Sequence, residues 1–137
     1  MSFESASSNS EIPLLTFNSL YNILREEKKN KSLQELPEKF YQSVSEYIKS
    51  KKQEIKKLMS DESKKDKLNR EKITYNNSRK IINEIFSIRA TKISEIAIKN
   101  KIYGDEFLAT DNILNEEKEF FEEVISSTRK LQKVTEK

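Results

Sequence analysis

Adjacent carboxylates are among the side chains in this sequence that could do chemistry: Glu116 beside Glu117, and Glu122 beside Glu123. Two carboxyls can divide the roles of general acid and general base when their surroundings push their pKa values apart. These four lie in a stretch whose opposite helical face is apolar, so they read as a solvated acidic face. Lysine is the second capable type. The runs Lys51-Lys52, Lys56-Lys57 and Lys64-Lys65 offer cations to phosphates, but Glu46, Glu54, Asp61 and Glu62 are interleaved and dilute the field. The third constellation is a pair of cations, Arg89 and Lys92, which fall by angle within a stripe of isoleucines.

Much chemistry is excluded by residue type. The sequence has no cysteine and no histidine, which removes disulfides, thiolate and imidazole metal ligands, cysteine nucleophiles and histidine bases. With one glycine, it cannot build a Walker loop, a dinucleotide fingerprint or a nucleophile elbow. The expectation is a chain that is not an enzyme and that binds no cofactor and no metal. Its 26 basic and 23 acidic residues give a net charge of +3, a mixed surface on which DNA contact is at most weak. No stretch approaches the ~20 apolar residues of a membrane span, and Met1 to Ser10 lacks the apolar core of a signal peptide, so a soluble, intracellular protein is expected.

The elements that must position these groups are helices. Hydrophobic residues make up 34% of 137 positions and charged residues 36%, so a core requires tight patterning. Residues 1–12, rich in serine at their start, read as a disordered leader, and 13–137 as one helical domain. From Thr16, a suitable N-cap, Phe17, Leu20, Tyr21 and Leu24 recur at i, i+3, i+4 and i+7; the charged run Arg25 to Lys31 reads as a solvated end. Pro37 suits the first turn of a second helix, with Phe40, Val44, Tyr47, Ile48, Ile55 and Leu58 on one arc to about Ser60. After a polar connection capped by Asp66, a third helix runs to about Asn100. It carries Ile81, Ile82, Ile85, Ile88 and Ile96 as its stripe, with Tyr75, Phe86 and Ile93 on the flank; Gly104 supplies a stop. A fourth starts near Asn115, with Phe120, Phe121, Val124, Leu131 and Val134 as its apolar face. The fold class is therefore all-α, a bundle of four main helices, and Ile102 to Leu108 is the one ambiguous segment.

At ~1.5 Å per residue, a third helix of about 35 residues reaches on the order of 50 Å. A compact domain of this size has a diameter of about 35 to 40 Å. Association with another helical protein would cover the overhang, whereas a kink would have to come from the Asn76-Asn77-Ser78 patch. Arg89 and Lys92 admit two readings. Their stems can lie on apolar surface while the heads reach water, or they can form a specific ion pair that fixes register between helices or subunits.

Three blocks carry a family resemblance. Leu33-Gln34-Glu35-Leu36-Pro37-Glu38-Lys39-Phe40-Tyr41 resembles the leucine, leucine-proline, phenylalanine-tyrosine signature of archaeal GINS subunits. Ile85-Phe86-Ser87-Ile88-Arg89-Ala90-Thr91-Lys92-Ile93 and Leu114-Asn115-Glu116-Glu117-Lys118-Glu119-Phe120-Phe121 follow in the family's order, and the resemblance covers roughly Leu15 to Thr128. It implies a helical domain that joins a second GINS-type subunit in a tetramer of two chain types. It further implies a scaffold role in DNA replication, coupling the MCM helicase to a RecJ-like, Cdc45-related protein, with a cytoplasmic, nucleoid-associated location. Leu36, Pro37, Phe40, Tyr41, Ile85, Ile88, Arg89, Lys92, Ile96, Phe120 and Phe121 are the interface and structural candidates. The chain resembles the type of subunit whose α domain comes first. Relatives of that type usually continue into a small β domain, which is either cut from this sequence or lacking in this member.

Two other readings compete with the scaffold. A helical nucleic-acid binder using the lysine runs would lose affinity steeply with salt. A coiled-coil adaptor would show a strict two-in-seven seam, narrower than the apolar arcs found here.

Overall fold

The computed structural model describes residues 13–103 and 110–136. Within them the chain forms α1 (Phe17–Lys29), α2 (Phe40–Met59), α3 (Lys65–Tyr103) and α4 (Asn115–Thr135), with a 3-10 turn at Glu62–Lys64 between α2 and α3. The all-α expectation holds, and no strand occurs among the described residues. The leader at 1–12 and the Gly104 stop lie outside the described residues. Of the ambiguous segment, Ile102 and Tyr103 close α3. Among the described residues no helix is long and apolar enough to cross a membrane.

The helix starts show why the boundaries fall where they do. Thr16 caps α1 as its type predicts: its hydroxyl accepts from the Ser19 N–H at 3.1 Å, and the Ser19 hydroxyl accepts from the Thr16 N–H at 2.7 Å. Pro37 does not enter α2. Its carbonyl accepts from the Phe40 N–H at 3.0 Å in a turn before the helix, which lets Leu36 and Phe40 both reach the core. Nor does Asp66 act as a cap. The polar connection is itself helical and runs straight into α3, so the capping carboxylate is Asp61, which accepts from the Ser63 N–H at 3.0 Å.

The third helix is 39 residues long and is the common support of the bundle: α1, α2 and α4 each pack on it. Helix α2 doubles back along its first half, since Tyr47 meets Ser78 and Lys51 pairs with Glu71 further toward the turn. The helix stays continuous through Asn76-Asn77-Ser78. Ser78 is buried there, donating to the Thr74 carbonyl at 2.7 Å and sharing a 2.8 Å hydrogen bond with the Tyr47 hydroxyl.

The buried line on α3 is Ile81, Ile85, Arg89, Ile93 and Ala97. A row at i+4 winds around a straight helix instead of keeping to one angle, and such rows are the ridges that pack into neighbouring helices. This corrects the fixed-angle stripe: Ile93 is core and not flank, while Phe86 is exposed. On α1, Ile23 is buried and Tyr21 half-exposed, so that stripe is rotated toward Leu20, Ile23, Leu24 and Glu27. On α4 only the first turns reach the core; Leu131 and Val134 stand 68% and 66% exposed.

The core is divided in two. One apolar cluster gathers Leu20, Leu24, Leu36 and Phe40 around Ile81 and Ile85, and the other gathers Leu33, Ile113 and Phe121 around Ile93 and Ala97. Arg89 occupies the level between them.

Candidate functional site

The Arg89 side chain is fully buried, at 0% exposure, where an unpaired cation would be prohibitively costly. A guanidinium has five N–H donors in a fixed fork, and here all five find acceptors. Nε donates to Glu117 Oε2 at 2.7 Å and Nη2 to Glu117 Oε1 at 2.9 Å. Nη1 donates to Glu27 Oε1 at 2.9 Å and to the Gln34 carbonyl at 3.0 Å, and Nη2 also reaches the Asn112 carbonyl at 3.0 Å. One side chain of α3 thus ties α1, the α1–α2 connection, the segment before α4 and α4 itself.

Lys92 completes the cluster one turn along. Its three ammonium donors go to Glu27 Oε2 at 2.7 Å, the Glu27 carbonyl at 2.6 Å and the Ser32 carbonyl at 2.9 Å. Around the carboxylates the remaining acceptors are also engaged. Tyr41 donates its hydroxyl to Glu117 Oε2 at 2.6 Å, and the Leu114 N–H donates to Glu117 Oε1 at 2.9 Å. The Gln34 N–H donates to Glu27 Oε2 at 3.1 Å, and the Gln34 amide reaches Glu27 Oε1 at 3.2 Å. Two cations face two anions, and the polar network is saturated.

The electrostatics follow from that saturation. Burial by itself would raise the Glu27 carboxyl. Hydrogen bonds from Lys92, the Gln34 N–H and Arg89 outweigh it and hold the group below the ordinary carboxylate range. Burial likewise opposes ionisation of Glu117, and Arg89, Tyr41 and the Leu114 N–H reverse the balance. Tyr41 goes the other way: burial, then its bond to the Glu117 carboxylate, keep the phenol protonated beyond its usual range. Burial disfavours the Arg89 cation, but Glu117 and Glu27 more than restore it. Acid-base catalysis needs two carboxyls driven apart in pKa. Here both are driven down, which suits an ionic lock.

Several expectations change. Arg89 does not reach water, so of its two readings the ion pair holds, and its partners lie within this chain. Glu27 belongs to no solvated helix end; it is at 0% exposure because it continues the rotated α1 stripe, at i+7 from Leu20. Glu117 departs from the solvated acidic face since it lies one turn before Phe121, on the side α4 buries. Glu116, Glu122 and Glu123 are exposed as expected.

Among the remaining candidates, Leu36, Phe40 and Ile85 are buried in the first cluster, with Ile88 packed against it. Phe121 is in the second cluster beside Ile96. Pro37 is half-buried, and Phe120, at 39% exposure, is not drawn into the network. An apolar groove between α2 and α3, lined by Phe40, Tyr41, Val44, Ile82 and Phe86, opens beside the lock. Glu27 and Asn112 were not singled out by sequence, Gln34 entered only within a resemblance block, and Glu117 was read as part of a solvated acidic face; for the two glutamates, angle relative to neighbouring core residues was the available signal.

No protein-family model, no curated protein and no solved structure matches the chain.

Proposed function

We propose that the chain is a non-catalytic scaffold subunit of a GINS-like complex, which helps couple the MCM helicase to a RecJ-like, Cdc45-related partner in DNA replication. The observation that supports this reading is the meeting of the three sequence blocks behind the resemblance. Tyr41 of the first, Arg89 of the second and Glu117 of the third join in one cluster, at 2.6 Å and 2.7 Å. Their contact gives the three blocks one shared role, the fastening of a helical domain, and so supports reading them together. The saturated, charge-balanced network of Arg89, Lys92, Glu27 and Glu117 leaves none of these four groups free to act as acid or base, which suits a rigid part that presents surfaces.

The surface that suits a partner subunit is the outer part of α4 with the end of α3. Phe120, Leu131 and Val134 are exposed on α4, and Ile98 and Ile102 on α3. Apolar side chains exposed over two helices are the usual substance of a subunit interface. Co-expression with a second GINS-type chain should give a stable complex by native mass that withstands moderate salt. Leu131→Glu should dissociate it while leaving helicity intact. Failure to associate with any GINS-type chain overturns the reading.

A further inference from the structure

The lysine runs look diluted when read along the sequence, and folding changes that. Residues 49–80, the facing parts of α2 and α3 with the turn that joins them, contain twelve Lys and Arg against five Asp and Glu, a local charge of +7 in a chain of +3. The remaining residues therefore sum to −4. Because α2 doubles back on α3, these charges are collected on one arm of the molecule.

The carboxylates of that arm are largely engaged. Glu54 and Glu71 both turn to Lys51 in the seam between the helices, at 3.6 Å and 3.7 Å. Asp61 serves the 3-10 turn through Ser63. The cations point outward. Lys49, Lys52 and Lys56 follow one another at i, i+3 and i+7 along α2, and Lys65, Lys72 and Arg79 at i, i+7 and i+14 along α3. All six are exposed, and among the described residues none of them makes an ion pair.

We infer that the α2–α3 arm is a contact surface for the phosphate backbone of a nucleic acid strand. Lys65 to Arg79 extends over about 20 Å at ~1.5 Å per residue, so the cations form lines that match the linear charge of a polyanion. A membrane surface fits less well. Met59 and Ile73 are the exposed large apolar residues of this arm and are isolated, so no apolar face accompanies the basic one. Five of the six cations are lysines, point charges without a planar fork, and the one guanidinium, Arg79, lies over the Tyr75 ring and donates to its hydroxyl at 3.1 Å, so the contact positions a strand without reading its sequence. The inference does not depend on the GINS-like assignment.

The test is fluorescence anisotropy with labelled single-stranded DNA, duplex DNA and RNA long enough to span the arm, titrated with salt. The full chain is compared with Lys52, Lys56, Lys65 and Lys72→Ala in combination. A control combines Lys118, Arg129, Lys130 and Lys133→Ala on α4, and circular dichroism checks the fold of each. Binding to at least one of the three nucleic acids should weaken at least ~10-fold in the arm variant and keep its strength in the control. Removing four phosphate contacts should lower the salt slope by about 3 on a single strand. Absence of binding at low salt, or equal loss in both variants, overturns the proposal. Binding to vesicles of phosphatidylserine and phosphatidylcholine without binding to any oligonucleotide also overturns it.

Discussion

Arg89 and Glu117 meet through two parallel hydrogen bonds, Nε to Oε2 at 2.7 Å and Nη2 to Oε1 at 2.9 Å, so that α4 is held to α3 by a planar fork. A fork fixes direction as well as distance, which a lysine at the same position would not do. The pair separates two apolar clusters that could otherwise slide past one another by a helical turn, and a polar contact at one level specifies their alignment.

Removing Arg89 should be the most damaging single change in the polar core. Arg89→Ala leaves Glu27 and Glu117 buried without their shared cation, a loss of about 3 to 5 kcal/mol. Arg79→Ala, on the exposed side of α3, gives up only a contact with the Tyr75 ring and hydroxyl and should cost no more than about 1 kcal/mol. Urea unfolding midpoints of the two variants decide the matter, and similar values would contradict the lock.

Tyr41→Phe tests the fork's outer support. The phenol is the α2 contribution to Glu117, and a hydrogen bond to a charged acceptor is worth about 1.5 to 3 kcal/mol. Because Arg89 still holds Glu117, the loss should fall at the lower end of that range, with helicity unchanged by circular dichroism.

Stability should fall at both ends of the pH scale. Glu27 and Glu117 titrate lower in the folded chain than in the unfolded one, so the folded state binds fewer protons in that interval. Their contribution is complete above the ordinary value of 4.5 and is lost as pH falls through the depressed values. Tyr41 is shifted upward from 10.0, so its contribution is complete below that value and is lost as pH rises toward its folded pKa. Thermal melts between these limits should form a plateau, and Glu117→Gln should flatten the acid limb. An acid limb of undiminished steepness in that variant would contradict the assignment.

How far the sequence discloses this arrangement depends on the residue. Helix number, the Thr16 cap and the Asn115 start were legible because they rest on local signals: periodicity, capping residues and breaks. Arg89 and Lys92 were visible as misplaced charges. Their partners were not, because Glu27 stands 62 residues from Arg89 inside a charged run and Glu117 stands 28 residues away among other glutamates. Pairing over such separations is decided by tertiary packing. The i+4 ridge was missed for a geometric reason, since averaging at fixed angle hides a row that winds.

Phe121 and Leu131 should separate folding from association. Phe121→Ala opens a cavity in the second cluster and should cost about 3 to 5 kcal/mol. Leu131→Ala removes an exposed side chain and should leave the melting temperature of the lone chain nearly unchanged, while weakening capture of a partner subunit. A large destabilisation of the lone chain by Leu131→Ala would argue against a free outer face on α4.

The continuity of α3 makes the molecule a spacer. It contains no proline and no glycine between Lys65 and Tyr103, the residues at which helices most readily bend. The stretch from Lys65 to Arg89 alone spans about 36 Å at ~1.5 Å per residue. Whatever is held at the tip of the α2–α3 arm is thereby kept at a set distance from whatever is held at α4, and a tilt imposed at one end is delivered to the other as the swing of a lever.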